Sequence, residues 1–175
     1  MTRIALVPGA LALLPEYASR TDPVAPLRRA CLDAVAWLGP DVRVVASPQG
    51  ERVAGSLLSA DFARSEVPDT FDGPREAAYL VVGNGTACRT EKAPGHLDPR
   101  ADLFDRRIAL ALGVDTGTPD PAALRSVDPA LAEELWADLT CLPRLADLLD
   151  GARTTAVDYA ADPFGVMYWV LRWRA

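Results

Sequence analysis

Residues 3–9 read RIALVPG, residues 26–40 read PLRRACLDAVAWLGP and residues 41–50 read DVRVVASPQG. Arg3 to Val7 is a short run of β-compatible residues ended by Pro8-Gly9, the pattern of a buried strand. Thr21-Asp22-Pro23 supplies cap candidates, and Pro26 suits a helix start, where its missing N–H is not needed. Leu27, Ala30, Cys31, Ala34, Val35 and Leu38 then recur at helical spacing until Gly39-Pro40 stops the helix. Val42 to Ala46 reads as a second strand, terminated by Ser47-Pro48-Gln49-Gly50. Strand, helix, strand in this order predicts a parallel pair joined by a right-handed crossover.

Working outward, Glu51 to Glu76 is polar and carries Pro68, Gly73 and Pro74. One short helix and a mobile loop are expected there. Ala77 to Val82 is a third strand, leading into Gly83-Asn84-Gly85. Residues 86–98 have no hydrophobic period, which marks a loop of functional size. Three helices should follow, each opened by an Asp-Pro pair: Asp98-Pro99, Asp120-Pro121 and Asp128-Pro129. Aspartate accepts from free first-turn amides, and proline is preorganised for the first helical position. Another helix spans Pro143 to Asp150 and ends at Gly151. Thr154 to Tyr159 is a fourth strand. Gly165 to Trp173 is a fifth, apolar on both faces and therefore expected inside the sheet. The expected architecture is α/β: one domain over residues 1–175, with a mixed, mainly parallel sheet of about five strands flanked by helices.

A chain of 175 residues can bury about 70% of its unfolded surface, enough for a real core. Its net charge of −6 argues against a nucleic-acid or anionic-membrane partner. Lys92 is the only lysine against 17 arginines, which are scattered rather than gathered into a patch. No apolar run approaches membrane-spanning length, and Pro8-Gly9 breaks the opening segment, so no secretory signal is expected. Cys31, Cys88 and Cys141 are odd in number and have no metal-like spacing. Free thiols in a reducing cytoplasm are the expectation.

Few residues suggest chemistry. His96 is the only histidine and would serve any acid–base step near neutral pH; the competing reading is an exposed imidazole beside a helix start. Cys88 lies near Arg89 and His96 in sequence, and a cation lowers a thiol's pKa; the competing reading is a small buried apolar residue. Gly83-Asn84-Gly85-Thr86 follows a strand but lacks the Lys-Ser/Thr ending of a phosphate loop. A tight turn with positive φ at its glycines explains it better. Phe164, Tyr168, Trp169 and Trp173 would line a ligand pocket or, more ordinarily, fill the core.

Five segments in order resemble the class III extradiol dioxygenase (LigB-like) superfamily, especially its small bacterial members. They are Val7-Pro8-Gly9-Ala10 with Leu13-Leu14-Pro15-Glu16; Val45-Ala46-Ser47-Pro48-Gln49-Gly50; Gly83-Asn84-Gly85-Thr86-Ala87; Asp98-Pro99-Arg100 with Phe104-Asp105-Arg106-Arg107; and Pro163-Phe164-Gly165-Val166. The resemblance covers most of the chain, which is compressed around residues 51–76. It implies Fe(II) held by two histidines and a glutamate, a recurrent solution for iron oxygenases. The places of the histidine ligands correspond to Gly9 and Gln49. The glutamate is expected near Ala160-Ala161-Asp162, where Asp162 stands one position away. The catalytic histidine corresponds to Ala87.

Glycine and alanine cannot coordinate, and Gln49 offers only a neutral amide oxygen. The resemblance therefore implies a metal-free, catalytically degenerate relative, a binding or interaction protein with no metal and no cofactor. Gly9, Gln49, Asn84, Thr86 and Asp162 are the expected cleft, because ligands of open α/β sheets bind outside the strands' carboxyl ends. A small polar ligand, a second copy of the chain and a partner subunit are the partners this leaves open. The rival readings are a small enzyme using Cys88 or His96 in the same cleft, or a residual dioxygenase if the ligand positions are displaced. Without its metal the cleft should partly close, with Leu11, Tyr17 or Phe164 filling the space.

Overall fold

The computed structural model describes residues 1–17, 20–62 and 76–175. Five strands form one sheet: β1 (Arg3–Val7), β2 (Val42–Val45), β3 (Ala78–Val82), β4 (Arg153–Ala161) and β5 (Tyr168–Arg174), in the order β2-β3-β1-β5-β4. β3 pairs in parallel with both β1 and β2, while β5 runs antiparallel to β1 and to β4. Four of the five strands thus share one direction, and β5 alone opposes them. The expected mixed α/β sheet is present, and β5 lies in its interior as its two apolar faces require. One expectation needs correcting. β1 and β2 are parallel but do not pair, because β3 sits between them.

Alternation along the central strands builds two cores. Ile4 and Leu6 of β1, Tyr79 and Val81 of β3, and Trp169, Leu171 and Trp173 of β5 face one side. Ala5 and Val7, Leu80 and Val82, and Val170 face the other. Period-2 side chains on a sheet buried on both faces give this division. Helices α1 (Ala25–Leu38) and α2 (Pro48–Phe62) cover the second face. Helices α3 (Ala101–Ala111), α4 (Pro121–Arg125), α5 (Pro129–Glu134) and α6 (Leu142–Leu148) cover the first.

The local signals explain most boundaries. α1 ends where Gly39 takes φ +86°, a conformation that favours glycine. Asp120 Oδ1 accepts from the Ala123 amide, and Asp128 Oδ1 from those of Ala130 and Leu131. Asp98 accepts from the Arg100 amide just ahead of α3. Asp22, read as a cap, accepts from the Val24 amide and also holds Arg28 at 2.6 Å. Pro48-Gln49-Gly50 departs from expectation, since it is the first turn of a 15-residue helix rather than a turn. Ser47 caps it: its carbonyl accepts from the Glu51 amide and its Oγ from that of Gly50. Of the expected mobile or shortened segment at 51–76, residues 63–75 lie outside the described residues. Among the described residues, no helix is long and apolar enough to cross a membrane.

Candidate functional site

Because β1, β2 and β3 are parallel, their carboxyl ends meet at one edge. β1 delivers Pro8-Gly9 there, β2 delivers Ser47 and the start of α2, and β3 delivers Gly83-Asn84. The Gln49 side chain, on the first turn of α2, reaches back and donates from Nε2 to the Gly9 carbonyl at 2.8 Å. Ser47 Oγ donates to Asp138 Oδ2 at 2.6 Å, and Thr140 Oγ1 donates to the other carboxylate oxygen. The Asn84 amide donates to the Asp138 carbonyl at 2.9 Å, an isolated bridge between the β3 loop and the segment after α5. Asn84 Nδ2 donates to the Gly85 carbonyl, leaving Oδ1 on the side of Gly9.

The structure therefore brings Gly9, Gln49 and Asn84 together, with Ser47 and Asp138 beside them. Asp138 was not expected. Nothing local marks it, because it reaches the cluster through a backbone bridge across more than fifty residues of chain. The side-chain carbonyl oxygens of Gln49 and Asn84, together with the Asp138 carboxylate, make the cluster rich in acceptors. Such a surface suits a ligand that presents hydroxyl or amide donors.

Thr86 and Asp162 belong elsewhere, which corrects their assignment to this cleft. Thr86 is fully buried; its amide and Oγ1 both donate to the Asp105 carboxylate, at 2.9 and 2.7 Å. Arg89 then ties three acids together, donating to Asp105 at 3.1 Å, Asp102 at 3.0 Å and Asp162 at 2.7 Å. Burial pushes the Asp105 carboxyl above its ordinary range, against the opposing pull of Thr86 and Arg89. The network fastens the β3 loop and the end of β4 to α3. Its polar groups answer one another, as buried polar groups must.

The two glycines of the β3 loop also need a different explanation. Neither Gly83 nor Gly85 lies at positive φ. A Cβ on Gly83 would stand 2.6 Å from Cys141 Sγ and 2.8 Å from the Asp138 carbonyl oxygen. One on Gly85 would stand 2.5 Å from Asp105 Oδ1 and 2.7 Å from Trp169 Cη2. Space, not backbone conformation, demands glycine here.

Cys88 is buried, its thiol directed to the carbonyls of Leu135 and Gly95. Burial, reinforced by Asp98 and Asp105, pushes this thiol up, the reverse of what a nucleophile needs. His96 is exposed at φ +58°. Two other non-glycine residues at positive φ, Trp136 and Phe164, bracket the 86–98 loop. The Arg89 amide donates to the Gly165 carbonyl on one side, and the Ala87 amide to the Leu135 carbonyl on the other.

The positions at which the resemblance implies iron do not fit that ion. Gly9 has no side-chain ligand and its carbonyl accepts from Gln49 Nε2, which leaves Gln49 only a neutral amide oxygen, and Asp162 is paired with Arg89. Among the described residues, no group of three or more His, Cys, Asp or Glu side chains is gathered for a metal. Of the side chains expected to fill the cleft, Phe164 is 65% and Tyr17 53% exposed, while Leu11 is half-buried against the core that holds Val7 and Val82. At the strand ends Gln49 pairs with the Gly9 carbonyl and Ser47 with Asp138. No family model matches this chain, and no curated protein matches it.

Proposed function

We propose that this chain is a metal-free relative of the class III extradiol dioxygenases that works as a binding or interaction protein. Its ligand is a small, uncharged, donor-bearing molecule taken at Gly9, Gln49, Asn84 and Asp138. The observation that carries the reading is the 2.8 Å hydrogen bond from Gln49 to the Gly9 carbonyl. It joins the two positions that would hold the histidine ligands, and neither residue carries an imidazole. The raised thiol of Cys88 supports a binding role over a nucleophilic enzyme.

The test has two arms. Anaerobic titration with Fe(II), followed by a catechol ring-cleavage assay in air, should give neither saturation near one equivalent nor a ring-opened product. Iron at unit stoichiometry that is lost in Gln49→Ala would overturn the metal-free reading. A thermal-shift screen of neutral polyols and amides should return a stabilising compound whose effect disappears in Asn84→Ala. A full screen with no such compound would overturn the ligand assignment.

A further inference from the structure

The helical layer over the Ile4–Trp173 face of the sheet holds a groove of about 840 Å³ between α3, the 112–120 connection, α4 and α5. That lies within the span of small-molecule sites, roughly 300–1,000 Å³. Its walls are mainly apolar, with Ile108, Leu110, Val127 and Leu131 among them. Leu110 is 52% exposed, so α3 presents an uncovered apolar side chain at the rim.

We propose that this groove binds a small amphipathic carboxylate, its head held by Arg107 and its tail laid along Ile108, Leu110 and Val127. The polar lining decides the sign of the head group. Asp120 and Asp128 line the groove, but the Oδ1 of each is turned to first-turn amides of α4 and α5. Thr116 and Ser126 donate their hydroxyls to the Thr118 and Ala123 carbonyls. Arg107 differs from its neighbours. Arg106 pairs with Asp102, and Arg100 with Asp98 and Glu134. Arg107 has no hydrogen bond or ion pair among the described residues. A planar guanidinium at the edge of an apolar surface is matched by a carboxylate, which it holds bidentately.

The groove shares no residue with the strand-end cluster, so the two sites stand or fall separately. Calorimetric titrations with decanoate, 1-decanol and decylamine, three probes of equal chain length, read the assignment. Decanoate should bind saturably at one equivalent and more tightly than either other probe. Each methylene added to the acid should tighten binding roughly fourfold, from the transfer free energy of a buried CH₂. Arg107→Gln should weaken decanoate about tenfold or more, the order of one charge-assisted contact, while Arg107→Lys retains part of the affinity. Leu110→Glu, at an exposed position that should tolerate it, should also weaken decanoate and so locate the tail. Decylamine binding as tightly as decanoate would overturn the proposal, because the two aspartates would then govern the groove. Equal binding of decanol, an unaffected Arg107→Gln variant, or no saturable binding at all would overturn it as well.

Discussion

Gly85 offers the sharpest test of how the β3 loop is held. A Cβ at this position would meet Asp105 Oδ1 at 2.5 Å, Trp169 Cη2 at 2.7 Å and Met167 Cβ at 2.8 Å. None of these neighbours is free to withdraw. Trp169 is 1% exposed within the core, and Asp105 is held by Thr86 and Arg89. The Gly85 amide also donates to the Met167 carbonyl at 2.9 Å, so the loop cannot move off without losing that bond. Gly85→Ala is therefore an overpacking change, costing roughly 1–3 kcal/mol. At about 2–4 °C per kcal/mol for a chain of this size, 2 kcal/mol would lower Tm by about 4–8 °C. Gly55 is the internal control. It lies inside α2, and an added Cβ meets nothing within 4 Å, so Gly55→Ala should add about 0.5–1 kcal/mol of stability. Differential scanning calorimetry of both variants reads the comparison directly. A Gly85→Ala protein that melts like the parent would refute the steric account.

The Arg89 network, the Asp22–Arg28 pair and the thiols give three further expectations. Thr86→Val keeps the volume of a fully buried side chain but removes the hydroxyl that donates to Asp105. It should cost about 1.5–3 kcal/mol, the scale for hydrogen bonds to charged groups, as read by urea denaturation. Asp22 is held below the usual carboxylate range, chiefly by its hydrogen bond from Arg28. Its stabilising contribution is fully present above the unfolded-state pKa of about 3.9 and is lost as pH falls through the lower folded value. Asp22→Asn should thus flatten the acid limb of a stability–pH curve, and an unchanged slope would count against the pair. Cys31 and Cys141 are pushed up to about 12 by burial, and Cys88 is raised too. The folded protein should react slowly with an aromatic disulfide and release its thiols only on denaturation, and a fast one-thiol phase would revive Cys88 as a nucleophile.

Local chemistry made much of the fold legible. The β-compatible run at Arg3–Val7, the 3.6-period run through Leu38 and the Asp-Pro caps at Asp120 and Asp128 each depend on a few neighbouring residues, and those elements formed where the residues lie, whereas α3 opens at Ala101, past Asp98-Pro99. The apolar run at the end of the chain correctly placed β5 inside the sheet, because a strand apolar on both faces must be covered on both. α2 begins against its local signals. Ser47-Pro48-Gln49-Gly50 carries turn residues, yet the same Ser and Pro begin a helix when an apolar face follows, here Val53, Ala54 and Leu57 packed on the sheet.

Which strands meet, and where the polar side chains point, was settled by contacts between distant parts of the chain. β3 entered between β1 and β2, a choice set by contacts across the sheet that no local pattern records. Thr86 and Asp162, close to the strand ends in sequence, turned to Asp105 and Arg89 because a buried carboxylate requires donors and a guanidinium requires acids. Asp138 came to the strand ends through a bridge from Asn84. Gly83 and Gly85 could be recognised as constrained from sequence, but the cause of the constraint could not. Positive φ is a property of one residue, whereas the space beside a Cβ is defined by Cys141, Asp105 and Trp169, which reach these glycines only once the chain has folded.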